Sequence, residues 1–182
     1  MDDFCGAGDV KDYLGVTNST DDPLFARLAA AATAWIRSYL TRDVSLNSYV
    51  EQVDGTGARS ISLKNYPILG VASVTTGQPG TALQTLTQGT DYIYSGRQIK
   101  FVTDLPPRGP GTIVVSYTAG YEAVPWDIQQ AAITIAALYY KRKSRLGEVS
   151  KIVGGETISF SQKDVPDDVK TSLDQWKSMV PV

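Results

Sequence analysis

Among 182 residues there is no histidine and one cysteine, so any chemistry must come from carboxylates, tyrosines, lysines or a lone thiol. That composition removes Ser-His-Asp and Cys-His nucleophile systems, His-ligated zinc and the usual near-neutral general base. Cys5 can form neither an intrachain disulfide nor a Cys-rich metal site, and reads as a spectator thiol in a terminal arm. Two pairs of adjacent acids, Asp21-Asp22 and Asp167-Asp168, stand where helices should begin. Adjacent side chains point different ways, so the pairs suit capping of free amides better than the facing carboxylates of a glycosidase. Asp2, Asp3 and Asp9 lack the alternating oxygen ligands of a calcium loop. Gly6-Ala7-Gly8 and Gly154-Gly155 lead into no Gly-Lys-Ser or Gly-Lys-Thr and read as joints, not phosphate loops. The expectation is a chain with no catalytic residues, no cofactor and no metal.

Surface chemistry remains. Lys141, Arg142, Lys143 and Arg145 crowd the end of one expected helix. A solvated, dipole-matched helix end explains them, and so does a basic surface facing a phosphate backbone or an acidic partner. In a ring of copies, one such cluster per subunit becomes a belt. Tyr139 and Tyr140 are adjacent on that helix and point about 100° apart, so both cannot enter one core. One is core, and Tyr140 is the candidate for a subunit interface. The apolar end Met179-Val180-Pro181-Val182 is too short to build its own core; it suits a groove on another protein, with simple fraying as the alternative. A formal net charge of −2 argues against a protein whose main task is coating DNA.

These residues need elements to hold them. Residues 21–42 predict a helix, with Asp21 or Asp22 as cap, Pro23 in the first turn and a shared face of Leu24, Leu28, Ala31, Trp35 and Tyr39. A short helix from about Asp9 to Leu14, stopped by Gly15, precedes it. Residues 1–22 carry six acids and one base, which reads as a solvated acidic arm. Between about Ser45 and Tyr121 lie ten of the 16 glycines and five of the nine prolines, and short β-branched or aromatic runs alternate with turn signals there. The runs are Tyr49–Val53, Ser60–Leu63, Val71–Thr75, Asp91–Tyr94, Gln98–Phe101 and Ile113–Tyr117, with Asp54-Gly55 and Ser95-Gly96 as hairpin-type dipeptides. This is an antiparallel module of about five to seven strands. Helical pattern returns at 125–146, with a stripe of Ile128, Ala131, Ala132, Ile135, Leu138 and Tyr139. Residues 147–163 read as extended, split by Gly154-Gly155, with a short exposed strand around Thr157–Ser161. A last helix runs from about Pro166 to Met179 on a stripe of Val169, Leu173 and Trp176.

The fold class is therefore α+β: a bundle of three main helices plus a short N-terminal one, with an antiparallel β-rich insertion between the first two main helices. The expected divisions are 1–44, an arm and the first helices; 45–121, the insertion; and 122–182, the remaining helices with the extended 147–163 segment and the tail. No run approaches the roughly 20 apolar residues of a membrane span, and Met1-Asp2-Asp3-Phe4 is acidic where a signal peptide would be basic. The expectation is a soluble protein made in a reducing cytoplasm.

The order of these motifs resembles a known family. Val10-Lys11-Asp12-Tyr13-Leu14-Gly15-Val16 precedes Asp21-Asp22 and a helix ending Tyr39-Leu40-Thr41-Arg42. Asn65-Tyr66-Pro67-Ile68 follows with Val71-Ala72-Ser73-Val74, and Val115 to Tyr121 leads into Pro125-Trp126-Asp127-Ile128 and Tyr139-Tyr140. From Val10 to about Trp176 the chain resembles the tailed-phage head–tail connector (adaptor, head-completion) proteins, in a long form with a β insertion. The resemblance implies a non-enzymatic ring beneath the portal of a DNA-filled capsid, at the virion neck, made in the cytoplasm of a bacterial host. It implies partners: the portal protein, neighbouring copies in a dodecamer, a stopper or tail-completion protein, and DNA passing non-specifically through the channel, with no membrane. Portal docking falls to Trp176, Met179, Val180, Pro181 and Val182. The channel or a partner falls to Lys141, Arg142, Lys143 and Arg145, and subunit contacts to Tyr140, Ile158 and Phe160. The competing reading is a monomeric β-rich binding or adhesin-like module with helical flanks.

Overall fold

The computed structural model of the chain describes residues 3–78, 80–143, 150–153, 156–159 and 165–177. Its elements are α1 (Ala7–Leu14), α2 (Asp22–Leu40), β1 (Asn47–Gly55), β2 (Ser60–Ser62), β3 (Ile68–Thr76), β4 (Gln84–Leu86), β5 (Tyr92–Ser95), β6 (Gln98–Phe101), β7 (Gly109–Ala119), α3 (Trp126–Lys143), β8 (Ser150–Val153), β9 (Glu156–Ser159) and α4 (Asp167–Asp174). This is an α+β fold with a β-rich insertion between helices. Two units result, one within residues 1–41 and 124–177, the other within 42–123.

In the helical unit, α2 packs on α3, α1 touches both, and α4 packs on α3. The core comes from Phe25, Ala29, Ala32, Ile36 and Leu40 of α2, and from Ile128, Ala131, Ala132, Ile135 and Ala136 of α3. The α2 stripe is displaced by one residue from the expected one. Leu24, Leu28, Trp35 and Tyr39 are only half-buried and Ala31 is exposed, because Phe25 and Ile36 carry the bulk that faces α3. On α3 the expected stripe holds through Ile135, after which Ala136 and Ala137 are buried while Leu138 and Tyr139 are half-buried. Alanine at so many facing positions lets the backbones approach closely, and fully buried isoleucines fill the remaining volume.

The N-terminal stretch is not a solvated arm. Phe4 and Cys5 are buried, the Phe4 N–H donates to Thr33 Oγ1 at 2.9 Å, and the Arg37 guanidinium lies 4.9 Å from the Phe4 ring centroid. Gly6 and Gly8 are no flexible joint: the Gly6 N–H donates to Asp9 Oδ2 (2.7 Å) at the entrance to α1, and Gly15 closes that helix with a φ of 69°. At α4, Val165, Val169 and Leu173 are buried. Pro166 holds the cap position and offers no side-chain cap, Asp167 and Asp168 stand in the first turn, and Lys177 lies beyond the helix end.

In the insertion the named strands all pair antiparallel, in the order β1-β7-β3-β4 and, in a second sheet, β2-β6-β5. The first and last long strands pair directly, Asn47 opposite Ala119, so the chain enters and leaves the insertion at one place. That is the pairing an insertion into a helical scaffold requires. Gly120 follows at φ 115°, and a Cβ there would collide with the Ser45 backbone. The core is built from Ile61, Leu63, Val74, Tyr92, Ile99, Phe101, Ile113, Val115 and Tyr117. Inside it the Tyr117 hydroxyl donates to Glu51 Oε2 at 2.7 Å and accepts from the Asn65 N–H at 3.3 Å. The Arg42 guanidinium lies 3.6 Å from the Tyr66 ring centroid and donates to the Tyr66 carbonyl at 2.9 Å. Ser95-Gly96 does turn β5 into β6. Asp54-Gly55 is no hairpin turn: Gly55 pairs with Gly109, and a Cβ on it would strike the Pro107 carbonyl. Strand β4 has no sequence signal, being short, polar and largely exposed. The segment read as extended holds two paired strands, β8 and β9, on either side of Gly154-Gly155.

Candidate functional site

The singled-out residues of the helical unit fall into two places. The first is the end of α3. Tyr140 is half-buried, its ring against Phe25 (centroids 4.5 Å apart), and its hydroxyl donates to Asp21 Oδ2 at 2.8 Å. Lys143 Nζ lies 3.5 Å from Asp21 Oδ1 and 5.9 Å from the Tyr140 ring centroid. The Tyr140 hydrogen bond holds the Asp21 carboxyl below the usual carboxylate range, with Lys143 acting in the same direction. The same bond pushes the Tyr140 phenol up. Asp22 binds the other neighbour: Lys11 Nζ of α1 reaches Asp22 Oδ1 at 2.6 Å.

The two acids at the start of α2 are therefore ties, one to α3 and one to α1, and neither side chain caps the helix. The reason is local. Pro23 brings no N–H to the first turn, and the Leu24 and Phe25 amides are taken by the Asp21 carbonyl at 2.9 Å each. With no amide left for a cap, the carboxylates reach sideways. Of the other basic candidates Lys141 is exposed and Arg142 half-buried; Arg145 lies outside the described residues.

The second place is the end of α4. The Tyr39 hydroxyl donates to Asp174 Oδ1 at 2.8 Å, Lys177 Nζ approaches the same oxygen at 2.7 Å, and that ammonium lies 4.0 Å from the Tyr39 ring centroid. Lys177 first, then Tyr39, holds the Asp174 carboxyl low, and Asp174 first, then Tyr39, raises Lys177. Tyr39 stacks on Trp35 with centroids 4.9 Å apart, and Gln175 Nε2 donates to Asp127 Oδ2 at 3.1 Å. Trp176, two residues past Asp174, is half-buried. Met179, Val180, Pro181 and Val182 lie outside the described residues, as does Phe160. Ile158 stands on β9 with its backbone opposite Lys151.

Sequence reasoning passed over two exposed aromatics of the helical unit. Trp126, at the start of α3, is 80% exposed, and Tyr13 of α1 is also exposed. An indole left in water suits a contact with another molecule, and no spacing rule marks it, because a Trp beside a helix start reads equally well as core. Among the described residues there is no grouping of three or more side chains that could hold a metal ion, and no helix is long and apolar enough to cross a membrane.

The model of the family described as "Head completion protein" matches residues 4–179. The chain belongs to the head completion protein family. The role that goes with the family is structural, not enzymatic. The fold is shared with solved neck proteins. One, from the neck of an empty gene transfer agent (GTA) particle computed with C6 symmetry, superposes with a TM-score of 0.61 at 16% identity over 97% of this chain and 90% of that one. A second, from the neck of the native particle computed with C12 symmetry, gives 0.60 at 17% identity over the same shares. A third, from the virion of the native particle, gives 0.61 at 18%, again over 97% and 90%. No curated protein sequence matches the chain.

Proposed function

We propose that this head completion protein is a head–tail connector adaptor: a ring of copies at the virion neck, beneath the portal, that extends the DNA channel and offers a platform to a stopper or tail protein. The family match over residues 4–179 carries this reading, since it spans both the helices and the insertion. One like-folded neck protein, from a particle computed with C12 symmetry, favours a dodecamer of this chain. The clasp at Tyr39, Asp174 and Lys177 favours portal docking through the segment that follows it, Met179 to Val182 together with Trp176. Trp126, exposed at the start of α3, suits a contact with a neighbouring copy or the portal, and Tyr140, Ile158 and Phe160 are the further candidates for subunit contacts. Lys141, Arg142, Lys143 and Arg145 supply the positive surface that DNA in the channel or an acidic partner would meet.

Mixing the purified chain with its portal and imaging by negative stain tests the reading. Rings added beneath the portal are expected. A chain that stays monomeric and unbound beside its own portal overturns it. Removal of Met179–Val182 should abolish binding, because small apolar contacts repeated around a ring act through avidity. Unchanged affinity removes the tail from the docking site.

A further inference from the structure

The β insertion contains a cavity that the connector reading leaves unused. Its volume is about 240 Å³, below the roughly 300–1,000 Å³ of sites for drug-sized molecules and suited to one long side chain. It opens at the edge of the four-stranded sheet. There β4 is the outermost strand, paired only to β3. Leu86 of that strand lines it together with Leu105, Pro106 and Pro107. Leu105 is half exposed, as is Leu83, which lies close to the lining residue Gly77. Asp91 and Asp104 complete the lining. They come from separate segments held together by the Val102 N–H to the Asp91 carbonyl (2.8 Å) and the Thr103 hydroxyl to the Thr90 carbonyl (2.9 Å). Among the described residues no lysine or arginine lines the cavity.

We propose that this cavity receives the arginine or lysine side chain of a partner protein, presented on an extended segment whose backbone pairs with the open edge of β4. A lining that sets Leu86, Leu105, Pro106 and Pro107 beside two carboxylates in an otherwise polar surround matches an aliphatic stem ending in a cation. The same charges turn away a nucleic-acid phosphate backbone. The unpaired donors and acceptors of β4 are a template for an added strand, and alternate side chains of that strand fall on the cavity side.

The test uses the full chain, isotopically labelled, and follows the amides of Gly77, Gln84, Leu86 and Leu105 by NMR. The probes are a capped five-residue Thr/Val peptide with a central arginine, the same peptide with citrulline in its place, and n-butylguanidinium. The arginine peptide should shift these amides saturably and bind about tenfold tighter than its neutral isostere. In Asp104→Asn, whose side chain is exposed, and in Asp91→Asn, which keeps an oxygen for the Thr87 N–H, that preference should largely vanish while the rest of the spectrum stays folded. Equal binding of arginine and citrulline, or no saturable shift at these amides, overturns the proposal. Equal binding of n-butylguanidinium and the peptide overturns its strand-pairing half.

Discussion

Helix α2 offers two apolar stripes one residue apart, and a pair of substitutions tells which of them carries the core. Ile36 is 0% exposed, on the stripe with Phe25, Ala32 and Leu40. Leu28 is half-buried, on the stripe that spacing alone would choose. Each change to alanine removes three carbons. At about 0.8 kcal/mol per buried carbon, Ile36→Ala loses about 2.4 kcal/mol of transfer free energy. The site cannot collapse readily, since its fully buried neighbours Ala32 and Leu40 belong to a helix packed against α3, so a cavity term of about 1 kcal/mol adds to this. The expected cost is about 3.5 kcal/mol, or a Tm lower by about 7–14 °C for a chain of this length. Leu28→Ala leaves an open surface dent and loses about half the transfer term, near 1.2 kcal/mol. Urea and thermal melts followed by far-ultraviolet circular dichroism read both. Equal losses, or a larger loss for Leu28, would refute the assignment of the buried stripe and with it the account of how α2 meets α3.

Three further outcomes are expected. Burial first, then Asp9 and Asp3, pushes the Cys5 thiol up to about 11; at pH 8 its reaction with a disulfide reagent should be about a hundredfold slower than in denaturant, and equal rates would place the terminus in solvent. Tyr117→Phe removes the hydroxyl between Glu51 and the Asn65 amide; Glu51 keeps the Lys64 N–H, so the Asn65 amide bears the loss and about 1 kcal/mol is expected in urea titration; an unchanged midpoint contradicts it. Asp21 and Asp174 have lowered folded-state values, so their contribution is full above the unfolded value, about pH 4, and disappears as pH falls through the folded one. Melts from neutral to acid pH should lose stability there less steeply in Asp21→Asn and Asp174→Asn than in the parent, and superimposable curves would remove both ties.

The elements were legible where pattern is dense. Both long helices are within a few residues of the expected bounds, and the six expected strands all occur, because alternation and Gly/Pro punctuation register burial directly. What stayed hidden depends on bonds between residues far apart in sequence. Glu51 on a strand reads as a solvent-facing residue, yet it points inward to take the Tyr117 hydroxyl, 66 positions away. Asp54-Gly55 has the composition of a hairpin turn, but its glycine answers to the close passage of Pro107. Strand β4 is specified by its partner β3 and by no feature of its own.

The candidate site shows the same division in sharper form. Composition excluded a histidine-based catalyst outright, and a motif order spread along the chain pointed to the family. No rule of spacing could turn Asp21 and Asp22 from caps into ties, since the deciding fact is a competition for one turn's amides. Proline at position 23 removes one N–H and the Asp21 carbonyl takes the next two, so capping has nothing left to bind. The freed carboxylates then find Lys11 on one side and Tyr140 with Lys143 on the other. Three helices are thereby locked at one end, next to the basic end of α3. In the ring we propose, that end has to be held at a fixed angle. Two carboxylates displaced from capping duty hold it without enlarging the core.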